Sequence, residues 1–180
     1  MPRIVDVEAE RAHILEASFR LFAEQGYGSV RMRGLAKAVG VSIGKLYHYF
    51  PDKRAIAQSL FVHVGRQDIE EAVGRLSGSE DRAGKLRLLA DFLEDRGARL
   101  ASTLMVALDH RRLESEPDTT RDALRLYRAA LTQQLGLDEA DEDLLFSLLL
   151  GSLVRQVLDP EGLDAQVHRD FMESLGRSGG

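Results

Sequence analysis

The chain has 180 residues, 44% hydrophobic and 29% charged, with 24 basic residues against 29 acidic ones and a net charge of −5. That length suits one compact unit or a small head joined to a larger body. With no cysteine and no long uninterrupted apolar run, a disulfide framework and a helical membrane span are both excluded.

The first residues, MPRIVDVEAERAH, carry acidic groups and lack the apolar stretch of a secretory signal, so a cytoplasmic protein is expected. Apolar residues then recur at spacings of three and four, and no segment alternates with period two, which predicts an all-α fold of about nine helices. Ile14, Leu15, Phe19 and Phe22 give a first helix its apolar stripe over roughly residues 8 to 25, stopped by Gly26. A short helix over about 32 to 39 buries Leu35, Ala36 and Val39 before Gly40. Ser42 is a good N-cap for a third helix carrying Leu46, Tyr47 and Phe50, which Pro51 ends by restricting the residue before it. Asp52 caps a fourth helix reaching about Leu76, and SGSED at 77 to 81 is the clearest linker. Further helices are predicted at about 82 to 96, 98 to 113, 118 to 135, 141 to 158 and 163 to 175, with a frayed RSGG tail.

Charge is unevenly spread along this pattern. Residues 26 to 54 hold Arg31, Arg33, Lys37, Lys45, Lys53 and Arg54 against Asp52 alone, whereas residues 55 to 180 hold 15 basic and 23 acidic residues. A basic head on an acidic body is an electrostatic footprint for phosphate at one end only.

The two short helices around Gly40-Val41-Ser42 have the layout of a helix-turn-helix. The glycine permits the sharp turn, Ala36 is small where the helices cross, and Val41 and Leu46 face inward. The second helix would then present Lys45, His48 and Tyr49 to a major groove, where base edges display a readable pattern of donors and acceptors.

The stretch ILEASFRLFAEQGYGSVRMRGLAKAVGVSIGKLYHYFPDKRAI, residues 14 to 56, resembles the TetR family of regulators along its full length. The resemblance rests most on Phe22, Gly26-Tyr27, Leu35-Ala36, Gly40-Val41-Ser42, Gly44, Leu46-Tyr47, Tyr49-Phe50 and Lys53, and covers about a quarter of the chain. It implies a DNA-binding domain over residues 1–53 and a helical effector-binding and dimerisation domain over 54–180. Arg33, Lys45, Tyr47 and Lys53 match positions that touch DNA in similar proteins, Tyr47 and Lys53 mostly on the backbone. Ile43, Gly44, Lys45 and His48 fall on the base-facing surface, with Ser42 and Tyr49 beside them, so that Ile43 would meet a thymine methyl and Lys45 a guanine edge. For Tyr47 and Phe50 a core role is the alternative, and for Lys45, His48 and Lys53 a solvated surface role.

Val30, Arg31 and Gly34 depart from the family, which usually has threonine at the first two positions and a polar residue at the third. Arg31 cannot accept from the free N–H groups of the second helix, a loss of about 1 kcal/mol that a phosphate contact would convert into DNA affinity.

The resemblance also implies that the last two helices pair with those of a second subunit. Here Leu145, Leu148 and Leu149 belong to a segment that is apolar over more than one face, Gly151 and Ser152 allow close approach, and Val167 and Phe171 lie on the last helix. Two heads in a homodimer would read a palindromic operator in double-stranded DNA. A small-molecule effector is likewise implied by resemblance. Interrupted apolar stripes offer His63, Gln67, Thr103, Leu104, Ala107, His110 and Tyr127 as lining of a mainly apolar site, each equally readable as a core or boundary residue.

An enzyme has little support, because the five histidines and many carboxylates form no recognised catalytic or metal-ligating constellation, and no cofactor is expected. His110 and Glu114, four apart on one helix, read as a solvated ion pair. A TetR-like DNA binder without a small-molecule effector, or a helical protein-interaction module, are the remaining alternatives. The basic head counts against the module.

Overall fold

A computed structural model describes residues 6–114 and 119–159, and among these every regular element is a helix. Seven helices follow in order: α1 (Val7–Gln25), α2 (Met32–Val39), α3 (Ile43–Tyr49), α4 (Lys53–Leu76), α5 (Arg82–Leu113), α6 (Thr119–Leu135) and α7 (Glu139–Leu158). None is long and apolar enough to cross a membrane.

Local signals explain most of the boundaries. Asp6 Oδ1 accepts from the N–H groups of Glu8 at 3.1 Å and Ala9 at 3.2 Å, starting α1, and Glu8 and Glu10 complement the positive end of its dipole. Gly26, at φ 77°, ends it, and Gly40, at φ 79° and ψ 27°, ends α2 in the left-handed region that side chains rarely adopt. Arg31 stands at the start of α2 without a side-chain cap, as expected from the sequence. Ser42 Oγ accepts from Lys45 N at 3.1 Å, Asp52 Oδ1 from Ala55 N at 2.7 Å, and Asp138 Oδ1 from Asp141 N at 2.9 Å, capping α3, α4 and α7.

One expected break does not occur. The segments predicted as separate helices at 82 to 96 and 98 to 113 form a single 32-residue helix, α5. Its start is capped by Asp81 Oδ1, which accepts from Gly84 N at 2.7 Å. A glycine in a helix interior costs about 1 kcal/mol and does not stop the helix when strong helix formers flank it, as Glu94, Arg96, Ala98 and Leu100 flank the buried Gly97. The helix predicted at 163 to 175 and the RSGG tail lie outside the described residues.

The chain forms two compact units, Met1–Gly65 with Met105–Arg121, and Arg66–Leu104 with Asp122–Gly180. In the first, α1 to α3 pack with the first part of α4 and the last part of α5. Ile14, Phe22, Tyr27, Leu35, Leu46, Phe50, Ile56, Leu60 and Val64 are all buried there, together with Val106 and Ala107 from α5. In the second, Leu76, Leu86, Leu89, Phe92, Leu100, Leu135, Leu145 and Leu149 form the core.

Candidate nucleic-acid interface and effector body

The geometry of the helix-turn-helix follows from what it buries. Leu46 and Phe50, 0% and 1% exposed, pin α3 to the first core, which leaves Ile43, Gly44, Lys45, Tyr47 and His48 on its outer side. Tyr47 is 51% exposed and so not a core residue, whereas Phe50 is one. Tyr49, expected on the outer surface, is half-buried and packs against the core. It sits three residues after Leu46, on the same side of α3, and its ring meets His48 edge-on at 5.4 Å. Arg31, Arg33 and Ser42 are exposed beside this face.

Residues of α1 that the sequence did not single out hold both helices of the motif. Arg11 donates from Nη1 to Tyr49 O at 3.1 Å and lies 4.5 Å over the Phe50 ring, placing a cation at the negative C-terminal end of α3. His13 Nε2 lies 3.2 Å from Val39 O, at the C-terminal end of α2. Glu10 pairs with the Lys45 ammonium. Only chain folding brings these partners together, so no local spacing announces them.

Lys53 is placed differently from a free surface lysine. Its ammonium donates to Tyr27 O at 2.7 Å and sits 4.1 Å over the Tyr27 ring. Burial lowers its pKa, opposed by the Glu114 and Asp109 carboxylates. Tyr27 in turn donates its hydroxyl to Glu114 Oε1 at 2.7 Å, and burial together with that carboxylate pushes the phenol pKa well up. Gly28 N donates to Asp109 Oδ2 at 3.3 Å. The connection after α1 is thus held by the C-terminal part of α5.

The residues suggested for an effector site fall into both units. His63, Ala107 and His110 belong to the first. His63 Nε2 lies 3.4 Å from Glu16 Oε1. His110 is not the solvated partner of Glu114 that its spacing suggested. It is 7% exposed, edge-on to Tyr27 at 5.0 Å and to Phe61 at 5.4 Å, its Nε2 has no hydrogen-bond partner, and burial lowers its pKa. Two aromatic rings from other segments, Tyr27 after α1 and Phe61 on α4, pack against it, which spacing along one helix cannot show.

Gln67, Thr103, Leu104 and Tyr127 belong to the second unit. There Asp68, 4% exposed, accepts from the Tyr127 hydroxyl at 3.0 Å, and Arg99 Nε lies 3.8 Å from its other oxygen. Burial raises the Asp68 pKa, against the pull of Tyr127, Arg99 and Arg96, and burial also raises that of Tyr127. Arg99 also donates to Gln67 Oε1 at 3.4 Å, and Gln67 is exposed. Thr103 Oγ1 donates to Arg99 O at 3.0 Å within α5, and Leu104 is half-buried. Asp68 escaped sequence reasoning because an acidic residue close to Gln67, Glu70 and Glu71 looks like part of a solvated helix face. Among the described residues no group of three metal-ligating side chains comes together.

Of the residues expected at a dimer interface, Leu145 and Leu149 face the second unit's own core, 2% and 8% exposed. Leu148 and Ser152 are half-buried and Gly151 is exposed, while Val167 and Phe171 lie outside the described residues. The outer face of α7 carries Leu144, Val154 and Leu158 instead, at 48%, 42% and 78% exposure. A helix that is apolar on several sides does not reveal which side its own core takes.

Comparison with known proteins places these features in a family context. The model described as bacterial regulatory proteins, tetR family, matches residues 14–60. An HTH-type transcriptional repressor of Mycobacterium tuberculosis is 34% identical over 125 residues, 67% of this chain and 61% of that protein, so the match spans under two thirds of the relative's length. Among solved structures, the fatty acid degradation regulator FadR from Bacillus halodurans superposes with a TM-score of 0.78 at 22% identity, over 94% of this chain and 95% of that one. The transcriptional regulator FadR from Bacillus subtilis, in complex with stearoyl-CoA, gives 0.72 at 23% identity, over 93% and 98%.

Proposed function

The chain belongs to the TetR family of bacterial regulatory proteins, and from that premise we propose that it is a homodimeric, cytoplasmic transcriptional repressor that leaves a palindromic operator when a small, mainly apolar ligand binds. The observation that carries this reading is the head itself. A Ser42-capped helix, pinned by Leu46 and Phe50, leaves Ile43, Gly44, Lys45, Tyr47 and His48 exposed in the one strongly basic region of the chain. Side chains at the N-terminal part of such a helix reach base edges, and flanking cations such as Arg31 and Arg33 meet phosphates.

Residues 1–53 are the DNA-reading part in this account, and 54–180 the effector and dimerisation part. The apolar outer face of α7, with Leu144, Leu148, Val154 and Leu158, pairs with its copy. Lys53 contributes a backbone contact after exchanging Tyr27 O for a phosphate oxygen. The stearoyl-CoA complex of the Bacillus subtilis regulator supports an apolar effector. The names of the matched relatives are those of regulators, in keeping with regulation rather than catalysis.

Selection from random duplex DNA tests the reading. An enriched inverted repeat whose half-sites lie about 34–36 Å apart, or a multiple of that, is expected. A folded dimer that enriches no site would refute it and favour a protein-interaction module.

A further inference from the structure

We infer that Glu10 is a specificity-determining residue of the DNA-reading surface, holding the Lys45 ammonium back from single phosphates so that it transfers to the paired acceptors of a base edge. This rests on the proposed DNA-binding function and adds to it a residue outside the helix-turn-helix.

Three residues near the start of α1 reach the motif, and two of them act as expected of positive or neutral donors. Arg11 and His13 meet the carbonyl ends of α3 and α2, where a cation or a donor is stabilising. Glu10 does the opposite. It sets a carboxylate against Lys45, the only basic residue among Ile43, Gly44, Lys45, Leu46 and Tyr47 of the recognition helix. A carboxylate at a surface that approaches phosphates is repelled by them, so its placement opposes DNA binding unless the ion pair has a use.

The use follows from competition between acceptors. Lys45 is 41% exposed and Glu10 23%, so the pair is partly solvated and can be exchanged at modest cost. A single phosphate oxygen offers the ammonium the same kind of contact that Glu10 already provides, with little net gain. A guanine edge offers N7 and O6 together, enough to draw the lysine away. Glu10 therefore weakens binding to arbitrary duplex more than binding to the correct site.

The experiment uses the full chain, an unrelated duplex, and the site enriched by wild-type protein. Enrichment is established before any variant is compared, so failure of the DNA-binding reading shows at that stage. Glu10→Gln should tighten binding to the unrelated duplex by about threefold to fivefold while changing the enriched site by less, lowering the ratio of the two affinities. In a Lys45→Ala background the same change should have no effect, and Glu8→Gln, a charge lost from an exposed position of the same helix, should leave the ratio unchanged. Equal tightening on both duplexes, persistence of the effect without Lys45, or the same effect from Glu8→Gln would each overturn the inference and leave a plain long-range charge effect. Matching thermal melts of Glu10→Gln and wild-type protein exclude misfolding as the cause.

Discussion

The Tyr27 hydroxyl donates to Glu114 at 2.7 Å, joining the connection after α1 to a residue 87 positions further along the chain. Tyr27 is 1% exposed, and its ring also carries the Lys53 ammonium, so one side chain gathers three separate segments. Tyr27→Phe keeps the ring and removes the donor. It should lower unfolding free energy by about 1–2 kcal/mol, read from urea denaturation. Glu114→Gln retains an acceptor and should cost less. Equal losses from the two changes would contradict this assignment.

His110 makes stability depend on pH with a definite sign. Burial lowers its pKa below the ordinary value of about 6.5, so around and below that pH the unfolded chain takes up the proton first. The stabilisation is complete above about pH 6.5 and is lost as pH falls toward the folded value. Melting temperatures between about pH 7.5 and 5 should therefore fall more steeply for the wild type than for His110→Phe. Parallel curves would show that His110 is not the group responsible.

Arg31 trades helix stability for charge. It stands at the start of α2 with extended backbone, φ −119° and ψ 156°, and no side-chain cap. Arg31→Thr should supply the missing acceptor and raise stability by about 1 kcal/mol. If Arg31 meets phosphate, the same variant binds DNA less tightly, with a salt slope shallower by about 1 per head. A variant that is both more stable and equally tight would remove Arg31 from the interface.

The two faces of α7 should respond differently to substitution. Leu145→Ala opens space in the second core and should cost about 2–5 kcal/mol. Leu144→Glu combined with Val154→Glu changes only exposed positions and should yield a folded monomer in sizing with light scattering. A dimer that survives both changes would show that the outer face of α7 does not form the interface.

Elements governed by local chemistry were readable from the sequence alone. Gly26 and Gly40 stop their helices, and Ser42 and Asp52 cap the next two, because each effect acts within four residues. The continuity of α5 through Gly97 was not readable, because a glycine's cost is too small to break a helix whose neighbours favour continuation. The exposure of Ile43, Gly44, Lys45, Tyr47 and His48 on α3 was legible from the motif, whereas the half-burial of Tyr49 was not. The supports of that face were not, since Glu10 and Arg11 meet their partners across 35 and 38 positions. For Leu145 against Leu144 the obstacle was different. Leucines on several sides of α7 satisfy the same periodicity, and only packing chooses among them.

Whether α3 reads DNA is decided by the equilibrium Kd of wild-type, Lys45→Ala and Tyr47→Ala proteins for the enriched palindrome, measured at two salt concentrations. Wild-type binding should weaken steeply with salt, Tyr47→Ala should weaken it without changing base preference, and Lys45→Ala should lose about 1–3 kcal/mol of discrimination at one base position of each half-site. Binding that is indifferent to salt and to both substitutions, by protein that remains folded and dimeric, would mean that α3 does not read DNA.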